Sequence, residues 1–157
     1  MQIDRAEISR YLGYGRRVPD PAVSRKIEEA VALLEQKAAP HALWAAYPVS
    51  IAGATVKLGP LSVQSAALSR HLRGCVQACL FAATLGPAPD RLQQKAEVQN
   101  MALALTLQAA AAAMIEAYCD EEAERLAAHF APKKLYLRPR FSPGYGDFPL
   151  SFQPVLL

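Results

Sequence analysis

Near the C-terminus, in the run Arg140-Phe141-Ser142-Pro143-Gly144-Tyr145-Gly146-Asp147-Phe148-Pro149, chemistry-bearing and turn-forming residues alternate in an order that packing alone explains poorly. Arg140 offers a planar guanidinium able to grip a carboxylate or phosphate at two points. Tyr145, set between two glycines, offers an amphipathic wall with a hydroxyl tip. Pro143 fixes its own φ and pushes Ser142 toward extended conformations, while Gly144 and Gly146 permit positive φ and a close approach of the backbone to a ligand. The same order also describes an ordinary Pro-Gly turn beside a surface Arg and a half-buried Tyr, and the motif by itself leaves both readings open.

Other groups carry less chemistry. Glu116, Asp120 and Glu124 follow one another at four-residue spacing and would form one acidic stripe on a continuous helix, a solvated face partly neutralised by Arg125. Cys75 and Cys79 have no second pair at metal-ligand spacing, and His41, His71 and His129 are scattered, so no metal site is expected. None of the histidines stands beside a recognisable nucleophile motif. Lys133, Lys134, Arg138 and Arg140 form a basic edge, with Tyr136, Phe141 and Tyr145 interleaved. Such an edge suits solvent, an acidic partner surface or single-stranded RNA.

The segment Arg140-Phe-Ser-Pro-Gly-Tyr145 resembles the Arg-x-x-Pro-Gly-Tyr signature of the activation (reactivation) domain of cobalamin-dependent methionine synthase. Three further segments are similar to the free-standing bacterial form of that family: Arg10-Tyr-Leu-Gly-Tyr14 followed by Pro19-Asp20, Phe81-Ala-Ala-Thr-Leu-Gly86, and Ile115-Glu116-Ala117-Tyr118. Order and approximate spacing agree over nearly the whole chain. The resemblance implies a module that binds S-adenosylmethionine and works on a cobalamin-binding methionine synthase, or a related corrinoid protein, carried by another chain. It implies that Arg140 holds the ligand carboxylate, with Ser142, Pro143, Gly144 and Tyr145 around it. Glu116 would hold the ammonium, and Asp4 more loosely matches an N-terminal aspartate of the family site. It implies no catalytic acid, base or nucleophile: the reaction is reductive remethylation of cob(II)alamin, an accessory role in methyl transfer. The family usually continues past the Pro-Gly-Tyr loop with a helix and further strands, a segment expected to be missing here. Two readings from other classes stay open: a ligand-binding regulatory or scaffold protein without a cobalamin partner, and a small RNA-associated α+β domain.

Composition bounds these readings. A chain of 157 residues with 52% hydrophobic and 20% charged residues is expected to form a single globular domain with a core that needs no metal or disulfide staple. Its formal net charge of +3 is too small to argue for nucleic acid. Three cysteines and no visible targeting segment suit a cytoplasmic protein with free thiols. The usual S-adenosylmethionine methyltransferase fold wants a Gly-rich turn after its first strand, and no Gly-x-Gly-x-Gly occurs. A radical enzyme wants Cys-x3-Cys-x2-Cys, but position 82 is Ala.

The elements that must position the loop follow from local pattern. Asp4 and Glu7 have the form of a capping box for a short helix ending at Tyr11. Asp20 and Pro21 open a second helix, with Val23, Ile27, Ala30, Val31 and Leu34 on one face. Residues 42 to 61 turn aromatic and β-branched with Pro and Gly punctuation, which predicts two or three antiparallel strands and a hairpin at Ala52-Gly53. Ser65 caps a short helix, residues 75 to 84 read as a buried strand, and a helical block runs from Pro89 to Phe130 with a break near 98 to 100. Its alanine run, Ala109 to Ala113, marks a central buried helix, and the apolar stretch from Met101 to Ile115 falls short of the roughly 20 strongly apolar residues of a membrane span. Residues 135 to 141 are expected to be a strand feeding the loop, with a final helix beginning at Pro149. Strands at both ends of a helical block predict an α+β fold with an antiparallel sheet.

Overall fold

The computed structural model describes Met1 and residues 3–156. The fold is α+β, and the chain falls into two compact units, Met1–Ala42 with Ala83–Leu135, and Leu43–Ala82 with Tyr136–Leu157.

The first unit is helical. α1 (Arg5–Tyr11) is capped by Asp4, whose carboxylate accepts the Ala6 amide at 2.8 Å. The reciprocal half of the expected capping box is absent, because the Glu7 carboxylate pairs with Arg10 one turn on. α2 (Pro21–Lys37) begins as its sequence dictates, with Asp20 accepting the Ala22 and Val23 amides and Pro21 at the first turn. α4 (Ala88–Gln99) and α5 (Met101–Phe130) are separated by Asn100 alone. Its backbone is extended, and its side chain accepts the Leu103 amide at 3.2 Å, so one residue both ends a helix and caps the next. Small side chains at Ala104, Ala109, Ala110 and Ala113 let α1, α2 and α4 lie close along α5, where Ile8, Val31, Leu34, Leu107 and Met114 are fully buried. By length and composition, Met101–Lys133 is long and apolar enough to cross a membrane, which the sequence stretch ending at Ile115 is not. About 39% of that apolar window is buried within the protein.

The second unit holds most of the sheet. β1 (His41–Ala52), β2 (Thr55–Leu58), β3 (Leu61–Gln64) and β4 (Gln77–Thr84) lie in the order β3-β2-β1-β4. The hairpin expected at Ala52-Gly53 is present, with Ala52 opposite Thr55 and Val49 opposite Leu58. A second hairpin sets Leu58 opposite Leu61. β1 is long because it serves two neighbours: its last four residues pair with β2, and the Val49 amide bonds the Val76 carbonyl just before β4. β4 is only half-buried, with Ala78 its one fully buried residue, rather than the buried strand its composition suggests. α3 (Ala66–Leu72) packs Leu68 and Leu72 against Val56, Leu58, Val63 and Ala78, and Phe148 from the C-terminal segment joins this core.

Residues 135–141 are not a strand. Pro139 has no amide to give a ladder, and the Arg138 guanidinium is bonded to backbone carbonyls at the end of α3 instead. Beyond Pro149 a 3-10 turn, Leu150–Phe152, leads into α6 (Gln153–Leu156).

Candidate ligand loop on the sheet unit

The C-terminal segment is fastened to both ends of α3. At the C-terminal end, Arg138 donates through Nη1 to the His71 carbonyl at 2.7 Å and through Nη2 to the Arg73 carbonyl at 2.9 Å. These are carbonyls a helix end leaves unpaired, where a cation is also favoured by the helix dipole. His71 in turn donates through Nε2 to the Pro139 carbonyl at 3.0 Å and stacks on Phe141 with ring centroids 4.8 Å apart.

At the N-terminal end, the Asp147 carboxylate takes three hydrogen bonds. The buried Ser65 hydroxyl donates at 2.6 Å, the Ala66 amide at 2.8 Å and the Ala67 amide at 2.9 Å. The Ser65 oxygen also accepts the Leu68 amide, so Ser65 and Asp147 cap α3 jointly. The Ser65 hydroxyl, then the Ala67 and Ala66 amides, draw the Asp147 carboxyl down from its ordinary 3.8 to about 2.

Between these anchors the chain makes two consecutive turns. The Tyr145 amide bonds the Ser142 carbonyl at 3.1 Å, with Pro143 and Gly144 at the centre. Gly144 has φ +97°, the left-handed value that a type II turn demands at this position and that glycine alone adopts without strain. The Phe148 amide then bonds the Tyr145 carbonyl at 3.0 Å, and the Gly144 amide bonds the Phe148 carbonyl at 2.8 Å. Gly146 is required for two reasons. Its φ is +56°, and a Cβ there would stand 2.7 Å from the Ala67 Cβ. The close approach expected of Gly146 is therefore to α3 of its own chain.

Arg140, Ser142 and Tyr145 are exposed along this double turn. Tyr145, 56% exposed, meets the Phe141 ring edge-on at 5.6 Å, and Phe141 stacks on Phe148 at 6.3 Å. The result is a bend closed by three backbone hydrogen bonds, with Arg140, Ser142 and Tyr145 exposed and Phe141 and Phe148 stacked against each other beside it.

The structure thus gathers Arg140, Ser142, Pro143, Gly144 and Tyr145 on one bend of the sheet unit. Asp4 and Glu116 belong to the helical unit. Asp4 is occupied as the cap of α1. Glu116 lies on an exposed part of α5, where Asp120 and Glu124 continue the expected stripe; Arg125 pairs with Glu122. Tyr118 ionises above its ordinary range because of desolvation, with Glu122 nearby as the second cause.

Sequence reasoning missed the parts played by Ser65, Arg138 and Asp147. Ser65 gave a signal as a helix cap; the other two act on partners at least 65 residues away, which no local pattern displays. Cys75, Cys79 and Cys119 are half-buried and in no disulfide, and burial raises the Cys79 thiol. Among the described residues no three His, Cys, Asp or Glu side chains are grouped to hold a metal ion.

No protein-family model matches this chain, and no curated protein matches it.

Proposed function

We propose that this chain is an S-adenosylmethionine-binding module that supports reductive remethylation of cob(II)alamin in a cobalamin-dependent methionine synthase on another chain. One observation supports the reading above the rest. The bend carrying Arg-x-x-Pro-Gly-Tyr is closed by its own backbone hydrogen bonds and fastened to α3, while Arg140 and Tyr145 on it stay exposed rather than being absorbed into the core.

The donor set fits the amino-acid end of the ligand. A guanidinium suits its carboxylate in two-point contact, and the Ser142 hydroxyl can add a hydrogen bond. The phenol face of Tyr145 suits the sulfonium, by the attraction of a cation to an aromatic ring. Gly144 lets the turn adopt its left-handed φ, which sets the spacing between Arg140 and Tyr145. The chemistry supplied by the bound molecule is transfer of a sulfonium methyl to cobalt, with one electron from an external donor. This chain's residues bind and orient, which is where an accessory module acts on rate.

Isothermal calorimetry with S-adenosylmethionine tests the reading. Saturable binding by the full chain, weakened at least about tenfold in Arg140→Ala, is the expected outcome, as for a lost charge-assisted contact. Absence of binding by the full chain overturns the reading, and equal binding by the variant removes Arg140 from it.

A second reading has its own observation. The sheet unit contains Lys57, Arg70, Arg73, Arg138 and Arg140 but a single acidic side chain, Asp147, and that one is held by α3. With Tyr136 86% exposed beside them, a small RNA-associated domain is the competing function. Salt-sensitive oligonucleotide binding without S-adenosylmethionine binding would select it.

A further inference from the structure

We infer that Asp147 is a positioning residue for the Arg140–Tyr145 bend: with Arg138 it clasps the C-terminal segment to the two ends of α3 and so fixes the ligand-facing geometry before any ligand arrives. The inference rests on the reading of that bend as the S-adenosylmethionine site, and it names residues on which that site depends without contact to the ligand.

Three features carry it. The two fasteners lie on either side of the bend, Arg138 two residues before Arg140 and Asp147 two residues after Tyr145, so the segment between them has little freedom left. Each fastener also matches the helix end it meets, anion to N-terminus and cation to C-terminus; exchanging them would place both charges against the dipole. Gly146 is pressed on Ala67 and Phe148 is 5% exposed, so the bend is seated by shape between its polar anchors. A turn held only by its own three amide bonds would open readily in water. Here the anchors come from a helix 65 to 82 residues away in sequence, which lowers the entropy lost when a ligand is gripped.

Asp147→Asn tests the role, because it keeps the size of the side chain and one acceptor oxygen, for Ser65 and Ala67, while placing an amide NH2 against the Ala66 donor. Val63→Ala serves as the control, since it removes volume from the core that Phe148 joins while leaving both polar anchors in place. At a temperature where both variants are fully folded, Asp147→Asn is expected to weaken S-adenosylmethionine binding about tenfold or more, the scale of a lost charge-assisted hydrogen bond. Val63→Ala is expected to leave it unchanged. Unchanged affinity in Asp147→Asn, or an equal loss in both variants, overturns the positioning role.

Hydrogen exchange at the Gly144, Tyr145 and Phe148 amides gives a reading that needs no ligand. Faster exchange at these three in Asp147→Asn, and not in Val63→Ala, supports the clasp, and equal protection overturns it. Should the full chain fail to bind S-adenosylmethionine, the proposed function falls, and the exchange result still decides whether Asp147 orders the bend.

Discussion

Gly146 and Asp147 are adjacent residues that hold the bend in different ways, one by lacking atoms and one by charge. Gly146→Ala introduces a methyl group 2.7 Å from the Ala67 Cβ and a side chain at positive φ. It should cost the sheet unit about 1–3 kcal/mol by overpacking and strain. Repeating the change in an Ala67→Gly background separates the causes: the steric part should vanish and about 1 kcal/mol of left-handed penalty remain, as read by urea unfolding. Asp147 makes a pH prediction. Folding depresses its pKa from 3.8 to about 2, so its contribution is complete above about pH 4 and is lost as pH falls toward 2. Between those values wild-type stability should fall more steeply than that of Asp147→Asn; parallel curves would contradict the hydrogen bonds assigned to the carboxylate.

At the scale of elements, what the sequence revealed was whatever the chain encodes locally. Asp20-Pro21, Ser65 and Asn100 each mark a helix start with a side chain that reaches the backbone two or three residues on, and the hairpin at Ala52-Gly53 follows from turn chemistry between β-branched runs. Residues 135–141 were illegible for the opposite reason. Their apolar alternation suits a strand, yet their partner is the end of α3, and neither Arg138 nor Pro139 advertises that. The same distance hid the role of Asp147, so Arg140 and Tyr145 could be read as a candidate site while the device that holds them could not. Asn100→Ala offers a test of the local rule. Removing the cap of α5 should cost about 1 kcal/mol, seen as a lower urea midpoint with an unchanged slope.

Across the whole molecule the charge is unevenly shared. The sheet unit carries five cations against one carboxylate, while the charges of the helical unit nearly balance. A net charge of +3 averaged over the chain conceals this asymmetry. Attraction of an acidic partner surface should therefore be directed at the sheet unit and should weaken with added salt. Charge reversal of Arg70 and Arg73 together should slow association with a corrinoid protein several-fold, whereas reversal of Arg25 and Lys26 on α2 should not; stopped-flow binding at two ionic strengths distinguishes them.

The proposed site is one bend of the chain and its ligand one metabolite, and amide chemical shifts report on both at once. Titrating S-adenosylmethionine into the 15N-labelled protein should move the Ser142, Gly144 and Tyr145 resonances saturably, together with the Arg140 side-chain Nε–H. Spectra in which those signals stay fixed at saturating ligand, or in which only resonances elsewhere respond, would contradict the assignment of this bend as the binding site.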